Sequence, residues 1–365
     1  MKKYQNQVEE IKKSGLFDEV YYLANNPDVK ENPIVHYLMF GAKENRNPSP
    51  NFDTAYYLKE NPDVAASDFN PLIHYIRHGK KEGRRTYQKP KYFLTMAACM
   101  YNEGKYIEEW LAYHIVQGVE HFYLNNDGST DDTNERLKPF IKKGYVILFE
   151  GLRAKGIAQC EFYDLIIHEK KHEAEWCCFF DIDEFFQGEK KLKKFLLDID
   201  STISGIELSW KLYGDSFLEK EDGRLVIERF IWHGTKEVER TKLIKSICRL
   251  RNTQKSWSNN NPHQFIYHNG YVVDALGKDL TSLSQIYRFW HREPIWDNAW
   301  VNHYHTKTRE EYTERLKSRI ANAIDSSYRK NNLFDLFNHN DIKDNRIIAE
   351  AEEVKRVLKK IKEKN

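Results

Sequence analysis

Apolar and polar positions change texture twice along the chain. From residue 92, YFLTMAACMYN is a short apolar run ending in polar groups, which predicts a buried strand delivering Asn102 and Glu103 at its carboxyl end. YIEEWLAYHIVQG then places apolar residues at 107, 110, 111 and 115, a helical spacing that stops at Gly118. VEHFYL predicts a second strand, running into the turn-rich acidic stretch NNDGSTDDT. A helix carrying Leu137 and Phe140, then Gly144 and a strand over 145–150, complete a third round. Residues 157–175 read as a helix feeding WCCFFDIDEFF, an apolar strand that ends in carboxylates. Less regular strands are expected at 203–210, 224–232, 263–273 and 300–305, with helices from 309 onward and over the last 22 residues. The alternation predicts an α/β fold, a mainly parallel sheet flanked by helices, with sites beyond the carboxyl ends of strands.

The opening 90 residues follow another rule. Phe17, Asp18, Tyr21, Tyr22, Leu23, Asn26, Pro27, Asp28 and Val29 recur 35 positions later. Asn32, Pro33, His36, Tyr37, Gly41, Glu44 and Arg46 recur 38 positions later. Each copy, about 17–50 and 52–85, reads as short helices, with Asn32 and Asn70 as N-caps before a first-turn Pro and Gly41 and Gly79 as C-caps. The repeated His and Tyr are expected to pack, since single hairpin repeats bury too little surface to stand alone. The resulting organisation is a helical repeat module over 1–90, an α/β domain over 91–308 and a helical extension over 309–365.

Composition narrows the function. Lys plus Arg number 57 and Asp plus Glu 55, a net charge of +2, which removes any global case for a nucleic-acid partner. Aromatic residues make up 14%, against disorder. The five cysteines, at 99, 160, 177, 178 and 248, are odd in number and lack CxxC spacing, so neither a disulfide framework nor a zinc knuckle is expected. The first residues carry no apolar signal core, and no run of about 18 apolar residues could span a bilayer. The expected setting is cytoplasmic, with a Lys-rich tail open to peripheral contact with anionic lipid.

The chemistry concentrates at DIDE. Alternation in an extended segment would put Asp181 and Asp183 on one side with Ile182 opposite, two hard oxygen ligands suited to Mn²⁺ or Mg²⁺. A phosphatase-type aspartyl nucleophile would want a small residue two positions after the second Asp, where Phe185 stands. Asn125 or Asn126 with Asp127, at the end of the second strand, suits hydrogen bonding to a base edge or ribose. In HYHTK, His303 and His305 share a face and either could be a further metal ligand, while Lys307 could meet phosphate.

These residues together carry a resemblance. Asn102-Glu103, Glu109-Trp110, Tyr113-His114, Trp176 leading into Asp181–Phe185, Trp210 with Tyr213-Gly214, Lys245-Ser246, Asn261-Pro262-His263 and His303-Tyr304 with Lys307 resemble the GT-A glycosyltransferases of family 2 and, more closely, family 92, over about residues 91–320. The N-terminal repeats resemble modules found beside bacterial polysaccharide transferases. The resemblance implies a Rossmann-like GT-A domain and a metal-dependent inverting transfer of a hexose from a nucleotide sugar, a UDP-hexose above all, to a glycan or lipid-linked glycan in surface-polysaccharide synthesis. Asn102, Glu103, Asn126, Asp127, Lys155, Asp181 and Lys307 would then bind the nucleotide sugar. Asp181, Asp183, His303 and His305 would serve the metal. Asp215, a charge where the family carries a small uncharged residue, and His263 are the candidates for the base. The repeats are also open to self-association or to a protein partner, and two readings compete: a scaffold in which the repeats and aromatics bind glycan and the transferase-like domain is inactive, and a nucleotidyltransferase. The latter would want a Gly-rich basic loop after the first strand, where only Gly104 and Lys105 stand.

Overall fold

The computed structural model describes residues 4–152, 159–258, 261–282, 291, 293–321 and 333–363. Lys155 and Trp290 lie outside the described residues. The chain divides into two compact units: Met1–Lys91 with Arg251–Gln254 and Tyr267–Gly270, and the remainder.

In the first unit, helices α1 (Gln5–Ser14), α2 (Glu19–Asn25), α3 (Pro33–His36), α4 (Thr54–Glu60), α5 (Pro62–Ala65) and α6 (Pro71–His74) close on one core that includes Ile11, Tyr22, Tyr37, Phe52, Tyr57 and Leu72. Asn32 caps α3 by accepting from the Val35 N–H at 3.0 Å, and Asn70 caps α6 by accepting from Leu72 and Ile73 at 3.1 and 3.3 Å. The repeated aromatic pair is internal: Tyr22 Oη meets His36 Nδ1 at 3.0 Å and Tyr57 Oη meets His74 Nδ1 at 2.9 Å. Gly41 and Gly79 are not C-caps, since neither has a positive φ. They close the π-helical turns Tyr37–Gly41 and Tyr75–Gly79, where a Cβ would strike the Tyr22 or Tyr57 hydroxyl.

The second unit is a mixed sheet covered by helices. Its strands are β1 (Tyr92–Met100), β2 (His121–Asn126), β3 (Val146–Glu150), β4 (Ala174–Phe179), β5 (Glu184–Gly188), β6 (Ile203–Leu212), β7 (Trp232–His233), β8 (Ile244–Arg249), β9 (Thr253–Ser258), β10 (Asn261–Tyr267), β11 (Tyr271–Asp274), β12 (Ala299–His303) and β13 (Ile342–Lys343). Among the described residues the main sheet runs β3-β2-β1-β4-β8-β6-β12-β5, with β11 also beside β6. The β3-β2-β1-β4 half is parallel, as the strand–helix alternation predicts. Beyond it β8 is antiparallel to β4 and β6, and β5 is antiparallel to β12. Helix α7 (Gly104–Val116) buries Trp110, Leu111 and Tyr113, and α8 (Thr133–Lys142) buries Leu137 and Phe140, in one core with Phe122, Leu124 and Phe185. Helix α7 also bolts β5 in place, Trp110 Nε1 donating to the Glu184 carbonyl at 2.9 Å and Tyr113 Oη to that of Phe186 at 2.5 Å.

Three sequence expectations fail here, the simplest being the strand over 263–273, which breaks at 268–270 into β10 and β11. The apolar segment WCCFFDIDEFF is not one strand: β4 stops at Phe179, and a turn over 180–183 reverses into β5. Glu184 closes that turn, its Oε2 accepting from the Asp181 N–H at 2.9 Å. Residues 224–232 are not a strand either, since Val226–Arg229 form a helical turn, α11. Its first N–H groups, of Val226 and Ile227, donate to the buried Glu109 carboxylate at 2.8 and 3.1 Å, a cap supplied from more than a hundred residues away.

Candidate active site

A cleft of about 370 Å³ opens where β1, β2 and β12 end and where the turn after β4 reverses. Glu103 and Asp127 reach it from the ends of β1 and β2, Asp181 and Asp183 from the turn, Trp210 from β6, His263 from β10, and His303 and His305 from the end of β12. Gln159 enters from the start of helix α9 (Gln159–Lys170), Arg315 from the helix Arg309–Ala321 and Phe337 from the helix Phe334–Phe337.

The turn splits the two aspartates. Asp183 faces the histidines, with Oδ1 3.5 Å from His303 Nε2 and Oδ2 3.9 Å from His305 Nδ1. Arg315 Nη1 lies 3.3 Å from Asp183 Oδ2, while its Nη2 donates to the His305 carbonyl at 2.6 Å. Burial would push the Asp183 carboxyl up, but its interactions with His303, Lys307 and Arg315 outweigh burial and hold the group well below the usual carboxylate range. Asp181 turns the other way. Its Oδ2 accepts from Lys245 Nζ at 2.7 Å and its Oδ1 from Gln159 Nε2 at 2.9 Å. Lys245 is itself fully buried on β8 and lies 3.3 Å from Glu184 Oε2. Burial drives Glu184 well above the usual range, only partly offset by Lys245.

A divalent cation fits one group of these residues. Asp183, His303 and His305 each offer one ligand atom, all within 4.8 Å of one another. His303 Nδ1 and His305 Nε2 are buried ring nitrogens with no hydrogen-bond partner. Two imidazoles with one carboxylate suit a first-row transition ion such as Mn²⁺ better than Mg²⁺, which prefers an all-oxygen shell. Asp181 is not part of this group in the structure, where its carboxylate turns toward Lys245 and Gln159.

The other sequence candidates divide. Glu103, Asp127 and His263 line the cleft as expected. His263 Nδ1 lies 3.0 Å from the Ile244 carbonyl, so Nδ1 carries the proton and Nε2 the lone pair; burial, with the Lys245 charge nearby, pushes the ring down to about 3. Lys307 is buried behind the cleft, its ammonium 4.1 Å from the Tyr106 ring centre and 3.3 Å from the Tyr304 carbonyl. Asn102 stitches two loops, accepting from the Thr130 N–H at 2.7 Å and donating its own N–H to Ser129 Oγ at 2.9 Å. Asn126 closes the next turn by accepting from Gly128 and Ser129. Neither amide lines the cleft.

Asp215 does not line it either, which removes it as the base. Its Oδ1 accepts from Asn340 and its Oδ2 from Asn338, at 2.9 and 3.0 Å, so it clasps a loop. Sequence reasoning missed Gln159 and Arg315 because their segments read only as a helix leading into β4 and as a surface helix. Lys245 had a visible signal, since Lys245-Ser246 is among the residues that carry the family resemblance.

The profile of glycosyltransferase family 92 matches residues 91–331. A family 92 protein of Arabidopsis thaliana is 25% identical over 101 residues, 26% of this chain and 16% of that protein. The galactan beta-1,4-galactosyltransferase GALS2 of the same plant is 32% identical over 122 residues, 31% of this chain and 22% of that protein. The chain thus spans about a fifth or less of the length of these curated relatives. Among solved structures, S. aureus TarS 1-349 is 14% identical with a TM-score of 0.33, over 67% of this chain and 70% of that one. Glucosyl-3-phosphoglycerate synthase of Mycobacterium tuberculosis, solved with Mn²⁺ and UDP, is 14% identical with a TM-score of 0.24, over 34% and 50%. With the match spanning well over half of the chain and taking in every cleft-lining residue but Phe337, this protein belongs to glycosyltransferase family 92.

Proposed function

We propose that this glycosyltransferase is metal-dependent and inverting, and moves a hexose from a nucleoside diphosphate sugar, a UDP-hexose, to a hydroxyl of a glycan. The observation that carries the reading is the cluster of Asp183, His303 and His305 in a cleft whose other walls hold Glu103, Asp127 and His263. Asp183, His303 and His305 would hold the cation, which when bound offsets charge developing on the departing diphosphate. Arg315 adds fixed positive charge at the same place, toward the diphosphate oxygens, and Lys307 acts on Asp183 from behind the cleft. Asp127, at the end of β2, is the group we assign to the ribose or base of the donor. His263 is our candidate for the base: its Nδ1 proton is engaged by the Ile244 carbonyl, so Nε2 is the atom that would take the acceptor's hydroxyl proton, and the negative charge of a bound diphosphate would counter the burial and the Lys245 charge that depress the ring. Direct displacement at the anomeric carbon, with one base and no covalent intermediate, inverts its configuration.

The galactan galactosyltransferase among the relatives supports hexosyl transfer to a polysaccharide. We place this chain in surface-polysaccharide synthesis on the resemblance of its N-terminal repeats alone.

The test is thermal. UDP with Mn²⁺ at about 100 times its Kd should stabilise the protein by about 2.7 kcal/mol, a rise of about 3–5 °C. Asp183→Asn should abolish the rise, and Mg²⁺ should give a smaller one than Mn²⁺. Equal shifts in wild type and variant would overturn the metal assignment. A panel of nucleotide sugars, read as hydrolysis and as transfer, then identifies the donor.

A further inference from the structure

Past the carboxyl end of β6 the chain makes an unusual loop. Ser216 and Phe217 both take left-handed backbone conformations, at φ 52° and 61°, where glycine is the residue without steric cost. The loop is held firmly all the same. Asp215 accepts from the Asn338 and Asn340 amides and from the Phe217 N–H, while Ser216 Oγ accepts from the Ile231 and Trp232 N–H groups at 2.8 and 3.0 Å. What this scaffold presents is a bare aromatic ring. Phe217 is 68% exposed and meets the half-buried Trp232 edge to face at 5.5 Å. Lys343 lies opposite Trp232 in the β7–β13 pair and is also exposed.

Neither the strain nor the exposure helps folding, and a bulky residue held at positive φ by an over-determined network is a mark of function. The place is informative too. The Tyr213 N–H donates to the His303 carbonyl at 3.1 Å, so the loop leaves the sheet at the end where β12 delivers the metal-binding histidine. Asn338 of the clasp directly follows Phe337, which lines the cleft. The loop is thus tied to two of the elements that reach the cleft, the end of β12 and the segment that follows Phe337.

We propose that Phe217, with Trp232 beside it, is the stacking platform for the acceptor saccharide. The inference rests on the transferase reading above and names the acceptor side of the same site. Aromatic faces stack on the C–H faces of sugar rings, and Lys343 supplies a hydrogen-bond donor at the platform's edge. A neutral oligosaccharide is the occupant that this pairing of ring and donor fits.

Phe217→Gly is the informative variant, because glycine accepts the backbone conformation and removes only the ring. Wild type, Phe217→Gly and Phe217→Tyr would be titrated by calorimetry with neutral gluco-, galacto- and mannotetraose, with hydrolysis of UDP-hexoses read separately. Wild type should bind at least one tetrasaccharide, Phe217→Gly should bind it about tenfold more weakly, and Phe217→Tyr should keep the affinity. Donor hydrolysis and melting temperature should not fall in Phe217→Gly. Equal affinity in wild type and Phe217→Gly, or no tetrasaccharide bound by wild type, overturns the platform. So does a concentration-dependent dimer of the wild type that Phe217→Gly abolishes, which assigns the ring to a self-interface. If no nucleotide sugar is hydrolysed while saccharide binding still depends on Phe217, the platform stands and the transferase reading falls.

Discussion

Glu311 carries more than one task on a single carboxylate. It accepts from Arg229 through both guanidinium ends, at 3.0 and 2.8 Å, with both side chains buried. It also accepts from the Thr308 N–H at 3.1 Å, while its own N–H donates to Thr308 Oγ1 at 3.2 Å, a capping box that starts the helix bearing Arg315. Burial would raise its carboxyl, but Arg229 outweighs burial and holds it at about 2. Between the unfolded carboxyl's range near 4.5 and about 2, the unfolded chain binds more protons, so stability falls as pH drops through that window. The loss is about 3 kcal/mol, visible as a falling melting temperature. Glu311→Gln should remove this pH dependence and cost about 3–5 kcal/mol by leaving Arg229 buried without its partner charge. A melting temperature that is unchanged in Glu311→Gln would show that the pair adds nothing. At this scale sequence was a good guide to which residue types gather and a poor one to what each touches. Asp183, His303 and His305 were legible because strand ends expose side chains. Asp215, Asn102 and Asn126 were not, because an acid or amide that closes a loop looks the same in sequence as one that meets a ligand.

Elements were legible where the signal was local. Strands β1, β2 and β3 and helices α7 and α8 came from apolar spacing and the glycines that end it. The turn at 180–183 and helix α11 did not, because both depend on partners distant in sequence. Glu109 is the clearest case: burial pushes its carboxyl up to about 7, yet both oxygens are engaged by the first N–H groups of α11. In Glu109→Gln the amide oxygen can serve one of these N–H groups while the NH₂ confronts the other, at a cost of about 1–3 kcal/mol. Hydrogen exchange at the Val226 and Ile227 amides should quicken, with exchange in β1 unchanged. Slow exchange at both amides in the variant would mean that α11 holds itself.

On the scale of the whole molecule, the sheet's parallel half could be read from strand–helix alternation, but β8 entering between β4 and β6 could not, since it pairs with β4 across some seventy residues and with β6 across some forty and leaves no local trace. The same insertion brings Lys245 to Asp181 and fixes one wall of the cleft. The cysteines offer a readout of this assembly. All five are free thiols; Cys160, Cys177, Cys178 and Cys248 are buried, and Cys99 alone is partly exposed, at the cleft wall. Burial, reinforced by the Asp127 charge, raises the Cys99 thiol well above its ordinary value, so its thiolate is scarce near neutral pH and labelling is slow. A thiol reagent should therefore modify no more than one cysteine per folded chain and all five in denaturant. A ligand filling the cleft should slow even that one reaction, in proportion to its occupancy. UDP with Mn²⁺ provides the comparison, and Asp183→Asn should leave Cys99 reacting at the unprotected rate. Rapid modification of two or more thiols in the folded protein would mean that the sheet opens more readily than its packing implies. A Cys99 rate indifferent to UDP and Mn²⁺ would place the nucleotide away from this wall.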